Sequence, residues 1–383
     1  MNSEHDATSR SHEILVINPG ATSTKIAWFS GSHAAFTQNL RHEDTDLDRF
    51  ERLADQKGYR TDAVLAAVAA AGHGLSDLDA IAVRGGLLPS LPGGTYLVDE
   101  AMVAYLKRAS RGEHASNLGA IVGFDLAKRV QAAPSDATTG RNVPVYVTDP
   151  VSVDEMEDVA RVSGFPPLER ESLFHALNIR AVARRHAASQ GKALSRMNLV
   201  VCHLGTGISL AALRRGQAVD VVNPRDEGPL AMDRAGSVPV VALLDYMRRE
   251  QVDPAQLKKE LFGRGGMHAY LGTRDLREVE ARMDRGEAQA RVLFDALALQ
   301  AAKAIAQMAV VLDGAAEAII LTGGMAHSER LVALIREHVS FLAPLFVYPG
   351  EDEMQALADG ALRVLSGEEE AKHFPANQEA ETT

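Results

Sequence analysis

The chain has a single cysteine, no excess of basic residues and no Asn-x-Ser/Thr glycosylation site among its 383 residues. One cysteine excludes a disulfide scaffold and any zinc or iron–sulfur site built from several cysteines. The formal net charge is −11, from 40 Lys and Arg against 51 Asp and Glu, so the basic surface that nucleic-acid binding requires is not expected. With 46% hydrophobic and 24% charged residues, the composition is that of a folded globular protein.

The chain also lacks a recognisable targeting or membrane segment. Residues 1–12 are polar and contain no apolar core of a signal peptide. The stretch 63–71 is too short to span a bilayer, and 288–312 is interrupted by charged and amide side chains. We therefore expect a cytoplasmic protein whose polar, acidic tail at 367–383 is solvated and frayed.

Short apolar runs alternate with helical patterns along the chain, which predicts an α/β protein with mixed sheets flanked by helices. The predicted strands are 13–18, 25–29, 79–83, 145–147, 199–202, 208–213, 218–222, 318–321 and 345–348. The predicted helices are 47–57, 62–71, 99–108, 117–131, 152–161, 170–188, 238–249, 275–283, 287–313, 328–339 and 352–366. Because 287–313 is apolar on most faces, we expect it to be a central buried helix.

Two parts of the chain resemble each other at a constant offset of 185 residues. ILVINPG at 14–20 aligns with LVVCHLG at 199–205, and each is a buried strand that leads into a glycine turn with Ser or Thr and then a second strand. This internal repeat predicts two similar domains. The alternative is two unrelated hairpins, since strand–Gly-turn–strand is a common pattern.

Three glycine clusters are typical of phosphate contact. Gly20 to Lys25 and Gly205-Thr206-Gly207 are the two hairpin turns, and Gly323-Gly324 lies between a strand and a helix. Glycine lets a phosphate approach backbone N–H groups, while hydroxyls and a lysine add donors and charge. Each cluster alone is a weak signal, and the third could be a simple helix entry. Together they indicate a nucleotide bound in a cleft between two half-similar domains, as in the actin, sugar kinase and chaperone superfold.

Long, ordered motifs over nearly the whole chain resemble the butyrate kinases, which belong with acetate kinase in that superfold. The motifs lie at 14–29, 82–102, 113–120, 145–156, 173–185, 198–212, 226–239, 263–275 and 320–329. The resemblance implies two actin-like (ribonuclease H-like) domains with an interdomain cleft. It also implies phosphorylation of a short-chain carboxylate by ATP with Mg²⁺, and a homodimer or larger homo-oligomer. The expected domains are 1–180 plus a returning C-terminal helix at 351–383, and a nucleotide-binding domain at 181–350.

A carboxylate substrate is ionised at pH 7 and needs no general base. Such a reaction needs charge neutralisation and alignment of two anions, a task for arginine and histidine with Mg²⁺ on the phosphates. The resemblance implies catalytic roles for Arg234, His175, Arg84 and Asp149, with Arg84, His114 and Arg234 on the carboxylate. It implies phosphate contacts from Asn18, Gly20, Ser23, Thr24, Lys25, His203, Gly205, Thr206, Gly207, Gly323 and Gly324, and metal contacts from Asn18 and Asp149.

Structural alternatives stand beside these roles. Arg84 could bridge a loop, Asp149 could cap the predicted helix at 152–161, and His114 could cap a helix. His175 could be a hydrogen-bonded core histidine, and His203 could bond its own turn. The three histidines have no metal-ligand spacing.

The chain also departs from the family patterns. Ala21 replaces the usual Ser, and Thr206 stands where a Gly or Asn is usual. His327 occupies the position matched to the acetate kinase Glu near Mg²⁺, which leaves the supporting carboxylate open. Acetate, propionate and branched carboxylates remain possible substrates, because a methylene changes binding by only about 1–3 kcal/mol. A nucleotide-gated binding module or a sugar kinase of the same superfold are the functional alternatives.

Overall fold

The computed structural model describes residues 11–132 and 142–375 of the chain. Its strands are β1 Glu13–Pro19, β2 Ser23–Ser30, β3 His33–Arg41, β4 Ala80–Val83, β5 Thr95–Leu97, β6 Val145–Thr148, β7 Leu199–Leu204, β8 Ile208–Arg214, β9 Gln217–Val222, β10 Ala318–Gly323, β11 Leu345–Pro349 and β12 Lys372–His373. Its helices are α1 Asp44–Leu47, α2 Lys57–Ala70, α3 Glu100–Arg108, α4 Asn117–Ala132, α5 Asp158–Arg161, α6 Ala176–Ser189, α7 Val240–Glu250, α8 Pro254–Leu261, α9 Gly266–Leu271, α10 Leu276–Asp284, α11 Ala288–Val311, α12 Glu329–Val339 and α13 Glu353–Leu365.

The chain divides into two compact units, one around each of two mixed sheets. The first unit contains the residues up to Pro89, Gly93–Val151 and the residues from Asp352 onward, and the second contains Ser90–Pro92 and Ser152–Glu351. The expected boundary near residue 180 lies inside α6, which packs on β7 and β10 of the second sheet. The division by contacts between residues therefore falls before α6, between Val151 and Ser152. The limits of independently folding domains and the cleft between them stay predictions.

The two sheets share the topology of five strands, and the first sheet has two further strands, β5 and β12, at one edge. The first has the order β12-β5-β6-β4-β1-β2-β3, and the second has the order β11-β10-β7-β8-β9. In the first, β1, β2 and β3 form an antiparallel meander, and β4 pairs with β1 in parallel. In the second, β7, β8 and β9 do the same, and β10 pairs with β7 in parallel. The repeat at an offset of 185 residues is thus a repeated sheet, and the predicted α/β fold is confirmed.

The structure adds three strands that were not predicted, namely β3, β5 and β12. All nine predicted strands are present within a few residues of their expected limits. The long edge strand β3 escaped prediction because its side chains are mostly exposed and its sequence, HAAFTQNLR, has no apolar alternation. The predicted helix at 47–57 is wrong, since α1 ends at Leu47 and only a 3₁₀ turn, Leu53–Gln56, follows. The helix predicted at 152–161 shrinks to α5.

The tail also differs from its prediction. Lys372 and His373 form β12, which pairs in parallel with β5, and Phe374 is buried with its ring 5.8 Å from that of Tyr105. This ordered packing offsets the polar composition of the segment. The remainder of the predicted tail, 376–383, lies outside the described residues.

In the described residues, one helix, α11, is long and apolar enough to cross a membrane by length and composition alone. Leu297, Ala301 and Ile305 of α11 are fully buried in the core of the second unit. The helix packs on β7 and β8 and against α12. Its apolar composition is therefore explained by the core that it fills, as the sequence predicted for 287–313.

Candidate active site

The first predicted phosphate loop is the hairpin turn between β1 and β2. Asn18 and Lys25 are directly opposite each other on the two strands, so their side chains share one face of the sheet. The Lys25 side chain is exposed and has no ion-pair partner within the described ranges. Gly20 donates its backbone N–H to the carbonyl oxygen of Ser23 at 2.8 Å, which closes the turn. The loop therefore presents one uncompensated positive charge beside a polar amide.

Thr24 lies on the opposite face from this charge. Its side chain is fully buried, and its hydroxyl oxygen is 2.8 Å from Nε2 of His42. The same oxygen accepts a hydrogen bond of 3.1 Å from Nη1 of Arg60. The expected phosphate contact of the Thr24 side chain is therefore corrected, because the alternation of β2 turns it into the core.

Arg60 of α2 supports the loop from beneath, a role that the sequence analysis missed. Its side chain is fully buried and donates to the backbone oxygens of Gly20 and Ser23, both at 2.9 Å, and of Ala21 at 2.8 Å. Its Nε donates to Oε1 of Gln56 at 3.0 Å. Since these acceptors are neutral, burial lowers the pKa of Arg60 to about 10. Three carbonyl oxygens of the turn thus converge on one planar guanidinium, which holds the backbone of the loop.

Because His42 of this network is buried, we expect the stability of the protein to depend on pH. Burial, and then the charge of Arg60, lower the pKa of His42 from 6.5 to about 4. Below pH 6.5 the unfolded chain binds a proton at His42, whereas the folded chain binds it only near pH 4, so acid favours unfolding across this window. We expect this residue to reduce the free energy of unfolding by roughly 2–3 kcal/mol between about pH 6.5 and about pH 4.

The chain's single tryptophan, Trp28, makes this measurable for the first unit alone, because it is buried in β2. Urea unfolding followed by Trp28 fluorescence should show a flatter pH dependence in His42→Gln than in the wild type. His338→Gln, at an exposed position of α12, is the control and should keep the wild-type slope. An unchanged slope in His42→Gln would contradict the prediction.

A carboxylate of α13, Glu353, joins two of the predicted site residues. Asn18 donates Nδ2 to Oε2 of Glu353 at 2.8 Å, and Nη1 of Arg84 forms an ion pair with Oε1 of the same carboxylate. The sequence motifs placed His327 at the matched position, which left Asp149 as the remaining candidate for a supporting carboxylate. In the first unit, Glu353 is the carboxylate in contact with both Asn18 and Arg84.

His114 lies near this group, and its ring also has a local structural role. Nδ1 accepts the backbone N–H of Ser116 at 3.2 Å and lies 2.7 Å from the Ser116 hydroxyl, immediately before α4. Burial, and then the charge of Arg84, lower the pKa of His114. The ring thus orders the turn into α4, as the capping alternative expected, and also lies within the electrostatic reach of Arg84.

Asp149 is buried at the end of β6 and does not cap a helix. Its Oδ1 accepts the backbone N–H of Gly94 at 2.8 Å, and its own N–H donates to the Gly94 oxygen at 3.0 Å. The backbone is in the left-handed region, with φ of 39°. Within 11–132 and 142–375, no three His, Cys, Asp or Glu side chains are arranged to hold a metal. Mg²⁺ commonly needs only one or two carboxylates beside substrate phosphates, so Asn18, Asp149 and Glu353 are compatible donors.

The second unit contains a cavity of about 820 Å³ next to the second phosphate turn. Gly205, Thr206 and Gly324 line it together, so two of the three predicted glycine clusters meet in one site. Gly323 has a φ of 88°, and a Cβ there would lie 2.5 Å from the Leu204 oxygen, so glycine is required where β10 approaches β7. The other lining residues, which the sequence analysis did not assign, are Met232, Gly272, Thr273, Arg274, Asp275, Leu276, Arg277, Glu280, Met325, His327, Ser328 and Glu351.

Arg234 lies directly on the second phosphate turn. A Cβ added to Gly207 would be 2.6 Å from the Arg234 guanidinium carbon, so the absence of a side chain at Gly207 lets the arginine pack on the backbone. Burial lowers the pKa of Arg234, opposed by the charge of Asp233. In the part of the chain that the structure describes, its guanidinium has no hydrogen bond or ion pair. A partly buried cation that is not held in an ion pair is suited to bind an anionic ligand.

Two histidines stack beside this turn. The rings of His175 and His203 have centroids 3.9 Å apart and an interplanar angle of 16°. Nδ1 of His203 is 2.8 Å from Oδ1 of Asn178, and its Nε2 is 3.0 Å from Oε1 of Glu351, within ion-pair distance but outside hydrogen-bond geometry. The helix predicted at 170–188 would have contained His175, whereas in the structure His175 immediately precedes α6. Its Nδ1 is 2.7 Å from the Ser209 hydroxyl oxygen.

Comparisons with known proteins give matches in sequence and in fold. The acetokinase family pattern matches residues 169–364. A protein described as a probable butyrate kinase, from Coprothermobacter proteolyticus, is 44% identical over 364 residues, which cover 94% of this chain and 99% of that protein.

Two solved structures are similar in fold. The acetate kinase of Porphyromonas gingivalis has a TM-score of 0.73 at 17% identity, covering 93% of this chain and 100% of that one. A propionate kinase from Francisella tularensis has a TM-score of 0.71 at 16% identity, covering 91% and 98%.

Proposed function

The chain belongs to the acetokinase family, and we propose that it transfers the terminal phosphoryl group of ATP to butyrate or a similar short-chain carboxylate. The products are an acyl phosphate and ADP, and the reaction is reversible. The enzyme class is a phosphotransferase with a carboxyl group as acceptor. The observation that carries this proposal is Arg234, a partly buried guanidinium that packs on the Gly205–Gly207 turn and forms no hydrogen bond or ion pair among the described residues.

The chemistry needs little more than charge and alignment. Since the carboxylate is already ionised, its oxygen attacks the terminal phosphorus directly, the bond to the leaving ADP oxygen breaks, and no proton has to be removed. We propose that Arg234 neutralises the transferring phosphoryl group and the carboxylate. His175 is proposed to donate a hydrogen bond to the phosphoryl oxygens, and Lys25 to contribute charge at the phosphates.

The nucleotide is proposed to occupy the cavity of the second unit. Its volume of about 820 Å³ lies within the usual range for sites of drug-sized ligands. Gly205, Thr206 and Gly324 line one part of it, where backbone N–H groups can approach phosphate oxygens. Thr206, one of the departures from the family pattern, is among the lining residues.

Mg²⁺ is proposed as the metal, with Asn18, Asp149 and Glu353 as the residues that would hold it. When bound, the ion would neutralise charge on the phosphate oxygens. The contact of Glu353 with both Asn18 and Arg84 supports this choice of carboxylate over the position of His327. His327 lines the cavity of the second unit instead.

A direct assay tests the proposed reaction. Purified protein incubated with ATP, Mg²⁺, butyrate and hydroxylamine should form butyryl hydroxamate, because hydroxylamine traps an acyl phosphate. A series of acetate, propionate, butyrate, isobutyrate and longer acids should differ in kcat/KM by about 10–200-fold for each methylene that the pocket accommodates or rejects.

Matched reactions with a sugar or another hydroxyl substrate serve as controls for a sugar kinase. ATP hydrolysis that no carboxylate changes would overturn the proposal and favour a nucleotide-gated binding module. A homo-oligomeric assembly and a cytoplasmic location stay predictions, the first of which light scattering on the purified protein decides.

A further inference from the structure

We propose that Ser209 is a positioning residue that sets the tautomer of His175, so that Nε2 carries the proton offered to the transferring phosphoryl group. The proposal rests on the proposed function for the identity of the acceptor. Its structural half rests on two hydrogen bonds of one hydroxyl. The backbone N–H of His175 donates to the Ser209 oxygen at 3.1 Å, and the same oxygen is 2.7 Å from Nδ1 of His175.

The proton count at this hydroxyl selects one tautomer. The backbone N–H can only donate, so the Ser209 oxygen is its acceptor and the hydroxyl hydrogen remains to be placed. Ser209 is fully buried, and Nδ1 of His175 is the acceptor beside it. A proton on Nδ1 would leave the buried hydroxyl hydrogen without an acceptor among the residues that the structure describes, which is costly. Nδ1 therefore accepts, and the ring proton lies on Nε2.

Neighbouring side chains hold the ring in place while Ser209 sets its proton. Ser209 and His203 are directly opposite each other on β8 and β7, so they share a face of the sheet. The His203 ring, fixed through Nδ1 by Asn178, stacks on the His175 ring. With one face covered and Nδ1 occupied, the remaining donor of His175 has a defined direction. Ser209 could not be assigned from the sequence, because no pattern in the chain links it to a residue 34 positions earlier.

Kinetics test the functional half of the inference. In Ser209→Ala, His175 loses the group that selects its tautomer, and we expect kcat to fall about 10–30-fold while the KM for ATP changes less than about twofold. The estimate is modest because the ring still samples the productive form, whereas a histidine locked in the wrong tautomer loses up to about 10⁴-fold. Ser209→Thr keeps the hydroxyl and should recover most of kcat. Ser340→Ala, at an exposed site after α12, should match the wild type.

Nitrogen-15 NMR tests the structural half without substrate. In protein labelled at the histidine rings, the His175 signals are identified by their loss in His175→Gln. We expect the wild type to show a protonated Nε2 and an unprotonated, hydrogen-bonded Nδ1, and Ser209→Ala to show a mixed or reversed pattern.

The outcomes separate the two proposals. A proton on Nδ1 in the wild type, or an unchanged His175 spectrum and kcat in Ser209→Ala, would overturn the inference. Absence of acyl phosphate formation by the wild type would instead overturn the proposed function, whatever the spectrum shows. If Ser209→Thr does not fold, the wild-type spectrum still decides the tautomer.

Discussion

Replacing Arg234 by alanine is expected to lower kcat for acyl phosphate formation by about 10³–10⁵-fold, the usual contribution of an arginine that stabilises a transferring phosphoryl group. The structure provides the reason, since the guanidinium packs on Gly207 and forms no hydrogen bond or ion pair within residues 11–132 and 142–375. Its charge is therefore available to the substrate. The hydroxamate assay with saturating butyrate and ATP measures the change.

Two variants make this prediction specific. Arg234→Lys retains a charge but loses the planar fork, so kcat should stay at least about 10²-fold below the wild type. Arg336→Ala, at an exposed position of α12, removes an arginine of the same unit and should leave kcat unchanged. Trp28 reports only on the first unit, so far-ultraviolet circular dichroism and thermal unfolding must show that each variant is folded. Wild-type turnover in a folded Arg234→Ala protein would remove the basis of the proposed function.

Replacing Glu353 by glutamine is expected to raise the Mg²⁺ concentration for half-maximal activity, and to lower kcat/KM, by about 10–100-fold, as for groups that orient metal-site ligands. The carboxylate accepts from Asn18 at 2.8 Å and pairs with Arg84. Glutamine can accept through one oxygen only and carries no charge. Arg84 would lose its ion-pair partner, and Asn18 or Arg84 would change orientation.

Activity measured over a Mg²⁺ series tests this variant against two controls. Glu370→Gln, at an exposed site of the same C-terminal segment, should match the wild type. His327→Gln tests the alternative position and should not change the Mg²⁺ requirement. A normal Mg²⁺ requirement in Glu353→Gln, combined with an altered one in His327→Gln, would assign the role to the second unit instead.

Much of the fold was readable from local sequence patterns, because the repeat consists of strand, turn and strand. The segments 14–20 and 199–205 each combine a β-branched run with a glycine turn, and both signals are local. The edge strand β3 was missed because its stability comes from pairing with β2 instead of from its own apolar face. The helix predicted at 152–161 failed for a related reason. In the middle of this stretch Met156 is buried outside any helix, and the next residue, Glu157, donates its backbone N–H to the oxygen of Val219 in β9.

The candidate site residues also divide into those that local sequence patterns predicted correctly and those that they did not. The glycine clusters at 205–207 and 323–324 were predicted from local patterns and line or border one cavity. Thr24 was assigned to the phosphate because it lies in a glycine and hydroxyl-rich turn, but it lies two residues before the buried Ile26 and shares its face. The alternation of the strand could therefore have shown that Thr24 is buried. The helical spacing could likewise have shown that Arg60 lies on the buried face of α2 with Val64 and Ala67.

By itself, the sequence determined the class of fold, its internal repeat, the glycine turns and the cationic and imidazole residues suited to two anionic substrates. Only the tertiary structure decided which side chains act together. Glu353 reaches Asn18 across 335 positions of the chain, and Ser209 reaches the imidazole of His175 across 34. A strand or helix pattern reports which face of its own element is buried, whereas the partner on that face depends on how distant segments pack. The supporting carboxylate and the tautomer of the histidine are consequences of that packing.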